Sequence, residues 1–185
     1  FRSVENLVDE LEYIDSELPQ VKDIILEDDT FTFNHKRVLE VCKEIKNRGL
    51  DVDWIVNARA DVPYSILKEM KSAGCRMLIV GYESGNQQIL DKNKKDLKIE
   101  RALQFSRDVK KAGLQTMGCF MIGLLGETRE TARQTFEFAK KVDPDFYFFS
   151  PATPFAGTEF YRVCKEKGYL VSEDWADWVD VEGYL

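Results

Sequence analysis

The sequence predicts an α/β fold in which parallel strands alternate with helices. Segments with apolar residues at helical spacing end at a glycine, and a short apolar run follows. Such alternation is typical of a parallel sheet with helices packed outside it. The sheet is either open and doubly wound, or part of a complete or partial β/α barrel. The helix-ending glycines, where a left-handed residue is favoured, are Gly49, Gly74, Gly113 and Gly168.

The elements follow one another as six helices and five strands. The chain begins with a helix that ends before Pro19, and a short buried strand follows it. Asp61 is the expected N-cap of the third helix, with Pro63 in its first turn. The predicted helices span about residues 4–18, 38–48, 61–73, 99–112, 130–141 and 158–167. The predicted strands span residues 23–26, 54–56, 77–80, 116–122 and 146–149.

Two of these elements carry a prediction about the core. The aromatic residues of the last strand, 146–149, are expected to pack in the core rather than to form a stacking platform. The fifth helix is expected to turn three residues inward, namely Ala132, Phe136 and Ala139.

The composition is that of a folded, acidic protein. Hydrophobic residues make up 44% and aromatic residues 12%, which excludes an intrinsically disordered chain. The 26 basic and 33 acidic residues give a net charge of −7, so nucleic acid is not the expected partner. No segment has the apolar length of a membrane helix and no signal peptide opens the chain, so a membrane location is not expected.

The four cysteines lie far apart in the sequence. Neither a disulfide scaffold nor, by itself, a zinc or iron–sulfur site has this spacing. Dispersed cysteines indicate reduced thiols and a cytoplasmic protein. They are Cys42, Cys75, Cys119 and Cys164.

Charged residues follow the first four predicted strands at the edge of the sheet where their carboxyl ends meet. Ligands gather at this edge in both candidate architectures. Carboxylates with one arginine suit a polar small molecule that carries amine, hydroxyl and carboxylate groups. The five strand ends are residues 27–29, 57–61, 81–85, 123–128 and 150–154.

Most of these residues also have a purely structural interpretation. Glu83 is the hardest to explain in that way, because a carboxylate directly after an apolar strand is half-buried and needs a partner. The single histidine, His35, stands at the beginning of a helix, which argues against histidine-based catalysis. The structural interpretations are a capping turn at residues 27–29, an ion pair of Arg59 with Asp61, and turn glycines at Gly123 and Gly126.

Taken in order, the motifs resemble those of the radical S-adenosylmethionine enzymes. The similarity is greatest to the subgroup with an upstream cobalamin-binding domain, such as the anaerobic magnesium-protoporphyrin cyclase and hopanoid-modifying types. Each motif is weak alone, whereas their order and spacing are specific up to about Gly168. The matching segments are residues 2–6, 8–10, 26–32, 57–61, 73–75, 81–85, 123–128 and 153–158.

This resemblance implies a partial (β/α)6 barrel of the TIM-like type, here without its first strand. The family's CxxxCxxC motif, which holds a 4Fe–4S cluster, is absent from this sequence. Together with the start at Phe1 and the opening helix, this absence suggests a chain cut from a larger enzyme. Residues 1–170 are then the barrel core and residues 171–185 a C-terminal tail or covering segment. The metal ligands are expected upstream of Phe1, and none within the chain.

The resemblance also implies roles for individual residues in binding S-adenosylmethionine. Asp28 and Asp29 stand where the family binds the methionyl amino group, and Glu83 where many members bind the ribose hydroxyls. Arg59 is a candidate partner for a carboxylate of the cofactor or of the substrate. The segment expected near the adenine is Met121, Ile122 and Gly123.

Two loop positions depart from the family pattern. Leu125 replaces the usual proline of GxPGE, and Ala156 replaces the proline of PxPGT. Both departures bear on the shape of a loop rather than on membership of the family.

The implied activity is that of a radical S-adenosylmethionine oxidoreductase or methyltransferase acting on a small-molecule substrate. In this family the cluster reductively cleaves S-adenosylmethionine to a 5′-deoxyadenosyl radical. A reductant such as ferredoxin or flavodoxin is expected to supply the electron. Cobalamin is a further expected cofactor if the parent protein has the upstream cobalamin-binding domain. Without cluster ligands this chain is expected to be inactive alone. A barrel that lacks an edge strand is also expected to self-associate or to be marginally stable.

Two other functions are consistent with the strand ends. One is a metal- or acid/base-dependent α/β-barrel lyase, in which a divalent cation is bound by carboxylates. The other is a degenerate, non-catalytic barrel that binds a metabolite or a partner protein. The carboxylates of the lyase interpretation are Asp28, Asp29, Glu83 and Glu127.

Overall fold

The five strands pair side by side in the order of the chain, and every pairing is parallel. The computed structural model describes residues 2–172. Its strands are β1 (Ile24–Leu26), β2 (Trp54–Ala58), β3 (Cys75–Glu83), β4 (Gln115–Ile122) and β5 (Phe146–Pro151). Its helices are α1 (Val4–Glu17), α2 (His35–Arg48), α3 (Tyr64–Ser72), α4 (Gln87–Lys92), α5 (Ile99–Ala112), α6 (Arg129–Val142) and α7 (Glu159–Glu166).

This strand order decides between the two predicted architectures. A doubly wound sheet reverses its strand order at one point, whereas here β1 to β5 follow in sequence without reversal. Consecutive long helices, from α1 through α2, α3 and α5 to α6, contact one another in the same order. The described sheet is therefore of the barrel type, and it is open, with β1 and β5 as its edges. The predicted tail lies mostly outside the described residues.

Side chains alternate between the two faces of the sheet, and the helices cover one of them. On β3, Leu78, Val80 and Tyr82 are buried under the helices, whereas the residues between them are partly exposed. Trp54 is fully buried on the same face, and its indole Nε1 donates to the Ala73 carbonyl at 2.7 Å. The helix-covered face thus holds the hydrophobic core, which leaves the carboxyl end of the opposite face open to a ligand.

The predicted helix ends are confirmed by the backbone. Gly49 and Gly113 cap α2 and α5 in the left-handed conformation, with φ values of 68° and 76°. Gly74 follows α3 with φ 91°, and a Cβ there would lie only 2.0 Å from the Val52 carbonyl oxygen. Glycine is required at that position by both the backbone angle and the space.

Other sequence predictions were wrong in detail. Pro63, not Asp61, is the N-cap of α3, because the helix begins at Tyr64, and the Asp61 carboxylate forms an ion pair with Arg59. Phe136 is 46% exposed rather than inward, and its ring stacks on Phe149. The residues that α6 buries are Thr135, Phe138, Ala139 and Val142.

The two edge strands are more exposed than the sequence predicts. Ile25 of β1, predicted to be buried, is 52% exposed. In β5 only Phe149 packs inward, against Phe120, whereas the other three aromatic residues of residues 146–149 are about half exposed. Edge strands of an open sheet lack a neighbour on one side, and their side chains stay accessible. None of the helices in residues 2–172 is long and apolar enough to cross a membrane.

Helix α1 is joined to α2 through a single guanidinium group. Arg48 donates to Asp9 and Glu12 of α1, each at 2.7 Å, and to Glu44 of its own helix at 2.9 Å. These three carboxylates raise the pKa of Arg48 above its ordinary value. Val8 and Leu11 of α1 are buried beside these contacts, so the ion pairs fix the orientation of a helix that hydrophobic packing holds in place.

We expect Arg48→Met to lower the melting temperature by about 2–4 °C, because one change removes the only network of three carboxylates on a cation seen in residues 2–172. Calorimetry measures this shift. Arg162→Met is the matched control, since within residues 2–172 the ion-pair partner of Arg162 is Glu166 of its own helix alone. Equal melting temperatures for the two variants would contradict the prediction.

Candidate functional site

A cleft of about 430 Å³ opens at the carboxyl ends of β2, β3 and β4, on the face of the sheet away from the helices. Its volume lies within the range of small-molecule sites. The lining comes from the segment after β1, the ends of the strands and the loop between α4 and α5. The polar and charged side chains in the lining include Asp29, Asn57, Arg59, Asp61, Glu83, Lys94, Lys95 and Asp96.

Glu83 enters this cleft through an irregularity at the end of β3. Gly81 pairs with Cys119 and Glu83 pairs with Phe120, so Tyr82 is an extra residue in β3. Such a bulge re-aims the side chains beside it. Glu83 itself has φ 62°, and the Ser84 N–H donates across it to the Tyr82 carbonyl at 2.8 Å. A non-glycine residue in this region of backbone space is strained by about 1–3 kcal/mol, which is typical of functional sites.

The Glu83 carboxylate has a charged partner, Lys95, as predicted for a half-buried carboxylate at this position. Lys95 Nζ lies 2.9 Å from Glu83 Oε1, and the two side chains are 38% and 22% exposed. Gly81 provides the space, because a Cβ there would lie 2.5 Å from Glu83 Oε1 and 3.2 Å from Lys95 Nζ. Cys119 lies beside the pair, and burial together with the Glu83 charge raises the pKa of its thiol. The thiol stays protonated at neutral pH and is a poor nucleophile.

Arg59 also lines the cleft. Its Nε donates to Asp61 Oδ2 at 2.9 Å, and neither Nη has a hydrogen-bond partner within residues 2–172. Its backbone N–H donates to the buried Thr32 hydroxyl at 3.0 Å, which fixes the chain after β2. The guanidinium is thus restrained on one side and free to bind an anion with the other.

The structure separates the two neighbouring aspartates. Asp29 lines the cleft, whereas Asp28 lines a second groove between α1 and β1. Asp28 Oδ1 accepts the Thr30 N–H at 3.1 Å, and the Asp28 carbonyl accepts from Asn57 Nδ2 at 3.0 Å. In this conformation Asp28 shapes the turn after β1, and Asp29 is the carboxylate that faces a ligand.

The segment predicted to lie near the adenine stands at the end of β4, outside the lining of the cleft. Met121 and Ile122 pair with Ser150 and Pro151 of β5. Gly123 has φ 94°, and its N–H donates to Glu127 Oε2. The other carboxylate oxygen, Glu127 Oε1, is buried without a hydrogen-bond partner in the described part of the chain.

One asparagine, the C-cap residue of α4, forms hydrogen bonds with the loop after β4. Asn93 Nδ2 donates to the Leu125 carbonyl, and Asn93 Oδ1 accepts the Leu125 N–H, both at 3.2 Å. A proline at position 125 has no N–H and would lose the second bond. The structure therefore gives a physical reason for the leucine in place of the family's proline.

The described residues do not contain a metal site. No three His, Cys, Asp or Glu side chains in residues 2–172 are grouped to hold an ion. Three of the cysteines are buried and none is paired. The lyase interpretation needs a carboxylate site for a cation, and its four carboxylates are not brought together.

The loop between α4 and α5 also lines the cleft, which the sequence motifs did not predict. Lys94, Lys95, Asp96 and Leu97 all line the cleft, and α4 itself was not predicted. Asn86 is the N-cap of α4, and its side chain accepts the Ile89 N–H. The sequence does contain a signal for this helix and loop. Asn86 is a typical N-cap residue, the apolar pair Ile89 and Leu90 follows it, and residues 92–98 include four lysines.

Comparison with known proteins gives a consistent result. The family model described as "Radical SAM superfamily" matches residues 1–139 of the chain. An uncharacterized methyltransferase from Pyrococcus horikoshii is 34% identical over 181 residues, which are 97% of this chain and 39% of that protein. The anaerobic magnesium-protoporphyrin IX monomethyl ester cyclase from Rubrivivax gelatinosus is 30% identical over 172 residues, which are 90% of this chain and 30% of that protein.

A solved structure shows the same fold. The radical S-adenosylmethionine methyltransferase TsrM from Kitasatospora setae, with cobalamin and a [4Fe-4S] cluster bound, has a TM-score of 0.73 and 22% sequence identity. The match covers 81% of this chain and 31% of that one. The predicted partial-barrel fold is confirmed. The chain spans less than two fifths of the length of each of these three proteins.

We expect Gly81→Ala to lower the free energy of unfolding by no more than about 1 kcal/mol, because its methyl group would displace the ends of the Glu83 and Lys95 side chains, which can move aside. Chemical denaturation measures the loss. The control is the same substitution in an Glu83→Ala background, where we expect a cost below about 0.5 kcal/mol. An equal cost in both backgrounds would show that the clash is not with Glu83.

Proposed function

Because the chain belongs to the radical S-adenosylmethionine superfamily, we propose that it supplies the S-adenosylmethionine-binding side of the barrel in an enzyme of that family. The observation that carries the proposal is the Glu83 carboxylate, held by Lys95 in a cleft at the carboxyl end of β3. When bound at a reduced 4Fe–4S cluster, S-adenosylmethionine supplies a 5′-deoxyadenosyl radical that abstracts a hydrogen atom from the substrate.

The chemistry of the cleft fits this cofactor. S-adenosylmethionine carries an ammonium group, a carboxylate and two ribose hydroxyls, and the cleft offers a partner for each kind of group. Glu83 accepts from hydroxyls, Asp29 accepts from an ammonium, and the free Nη atoms of Arg59 donate to a carboxylate. The missing Cβ of Gly81 leaves the space that the Glu83 carboxylate and the Lys95 ammonium occupy at the base of this site.

Three of the residues assigned to S-adenosylmethionine binding by resemblance do not line the cleft, and we propose that they act beside it. Met121, Ile122 and Gly123 lie at the end of β4, beside the cleft rather than in its lining. Their backbone is the part of the site that an adenine base would approach. Glu127 Oε1, which is buried without a hydrogen-bond partner among residues 2–172, lies in the same loop. Asp28 supports Asp29 through the turn that it stabilises.

The cluster itself does not fit the described residues, since they contain no grouped cysteines. We propose that its ligands belong to another part of the enzyme and that the 185-residue chain is inactive alone. The chain should show no cleavage of S-adenosylmethionine after anaerobic addition of iron and sulfide. Turnover under these conditions would contradict this part of the proposal.

The reaction of the whole enzyme is proposed at a coarser level. The relatives include methyltransferases and a cyclase, and the TsrM structure has cobalamin bound. We propose a methyltransferase or oxidoreductase of the cobalamin-associated subgroup, with ferredoxin or flavodoxin as reductant. The sheet face next to the cleft, where Cys119 pairs with Phe148, is apolar on the β5 side and accessible to a substrate.

We expect this chain to bind S-adenosylmethionine, and Glu83→Gln to weaken the binding by about 10–100-fold. The variant loses a charged acceptor, and a hydrogen bond to a charged group contributes about 1.5–3 kcal/mol. Isothermal titration calorimetry gives the dissociation constants. Glu27→Gln is the matched control, because Glu27 also follows a strand directly, β1, but lines the other groove. No binding by the unsubstituted chain at millimolar ligand would overturn the proposal.

A further inference from the structure

We propose that Lys95 is a positioning residue that holds the Glu83 carboxylate ready for the ribose hydroxyls of S-adenosylmethionine. The inference rests on the proposed function and concerns a residue that neither the sequence motifs nor the comparisons assign. It starts from the contact itself, in which Lys95 Nζ donates to Glu83 Oε1 at 2.9 Å. In residues 2–172, Lys95 Nζ has no other acceptor within hydrogen-bond distance.

The position of Lys95 is fixed by its backbone rather than by the ion pair alone. The Lys95 N–H donates to the Leu90 carbonyl at 2.9 Å, and the Lys95 carbonyl accepts the Leu97 N–H at 2.8 Å. Leu97 is buried, and its carbonyl accepts from Gln87 Nε2 at 3.1 Å. A lysine on so constrained a backbone loses less conformational entropy when it binds than a lysine on a free loop does.

The residues on the N-terminal side of Lys95 are fixed to neighbouring elements. Asn93 is bonded to both backbone groups of Leu125 in the loop after β4. Lys94 has φ 57° and forms an ion pair with Glu159 of α7. The loop between α4 and α5 is therefore held in one conformation from two sides, and that conformation directs the Lys95 ammonium over Gly81.

Within residues 2–172, Lys95 is the one cation within hydrogen-bond distance of the Glu83 carboxylate. Glu83 stands at a bulge in a strained conformation, with its carboxylate above Gly81 and the Cys119 thiol nearby. Lys95 occupies only one carboxylate oxygen, Oε1. A carboxylate has lone pairs for about four hydrogen bonds, so Oε2 and part of Oε1 stay available to two hydroxyls.

The test is a double-mutant cycle on ligand affinity. We expect Lys95→Met to raise the dissociation constant of S-adenosylhomocysteine about 10-fold, and Lys95→Arg to restore most of the affinity because it returns the charged donor. If Lys95 acts through Glu83, the double variant Glu83→Gln with Lys95→Met binds no more weakly than Glu83→Gln alone. Lys98→Met is the matched control, since Lys98 is in the same segment, pairs with Asp91 and does not line the cleft.

A second ligand separates positioning from general damage to the cleft. The 2′-deoxyribose analogue of S-adenosylhomocysteine lacks one of the hydroxyls, so the unsubstituted chain should prefer the natural ligand and Lys95→Met should lose most of that preference. A variant that had merely unfolded would lose both ligands, and its melting temperature would fall below that of Lys98→Met.

Each outcome bears on one proposal. Tight binding by the unsubstituted chain with unchanged binding by Lys95→Met would overturn the role of Lys95 and leave the proposed function standing. Additive losses in the double variant would show that Lys95 contacts the ligand independently of Glu83, which also contradicts the inference. Absence of binding by the unsubstituted chain would instead overturn the proposed function.

Discussion

The alternation of side chains along β3 is the constraint on which both the core and the cleft depend. Leu78, Val80 and Tyr82 are buried beneath the helices, whereas Ile79, Gly81 and Glu83 line the cleft. Because the period is two, a shift of one residue would put the apolar set into solvent and the carboxylate into the core. The packing of Tyr82 against Phe120 and Phe138 therefore also fixes where Glu83 can stand.

The geometry of the site is set largely by the main chain. The bulge at Tyr82, the positive φ of Glu83 and the missing Cβ of Gly81 together create the space that two charged side chains share. Strain of this kind persists only where the surrounding structure determines it. Here the neighbours are the buried aromatic residues of β3, β4 and α6. Stability of the core and geometry of the cleft are thus coupled through one short segment.

The sequence was sufficient to predict the strands and long helices, because their apolar periods and terminal glycines are local signals. Helix α4 was not predicted, since its six residues are too few to show a helical period of apolar positions. The exposure of Ile25 and Phe148 was beyond sequence reasoning as well, because it depends on the sheet being open at β1 and β5. Asp61 was misassigned because an aspartate suits both an N-cap and an ion pair, and only the position of Arg59 decides between them.

The site was predictable where it follows from strand ends and not where a loop completes it. Glu83, Arg59 and Asp29 come directly after strands, so the rule for parallel sheets placed them at one edge. Lys95 reaches the same cleft from a loop twelve positions later, and its direction follows from the bonds of Asn93 and Leu97. Such a contact is a property of tertiary structure, which residue spacing does not reveal.

The sequential order of the strands has a consequence for how the protein forms during translation. Within residues 2–172 each strand pairs with the next strand along the chain, and no strand inserts between two earlier ones. Each new strand and helix can therefore add to an edge that is already formed while the ribosome is still extending the chain. The growing sheet has an unpaired edge at every stage, so the speed of synthesis and the presence of chaperones determine how long that edge is open to other chains.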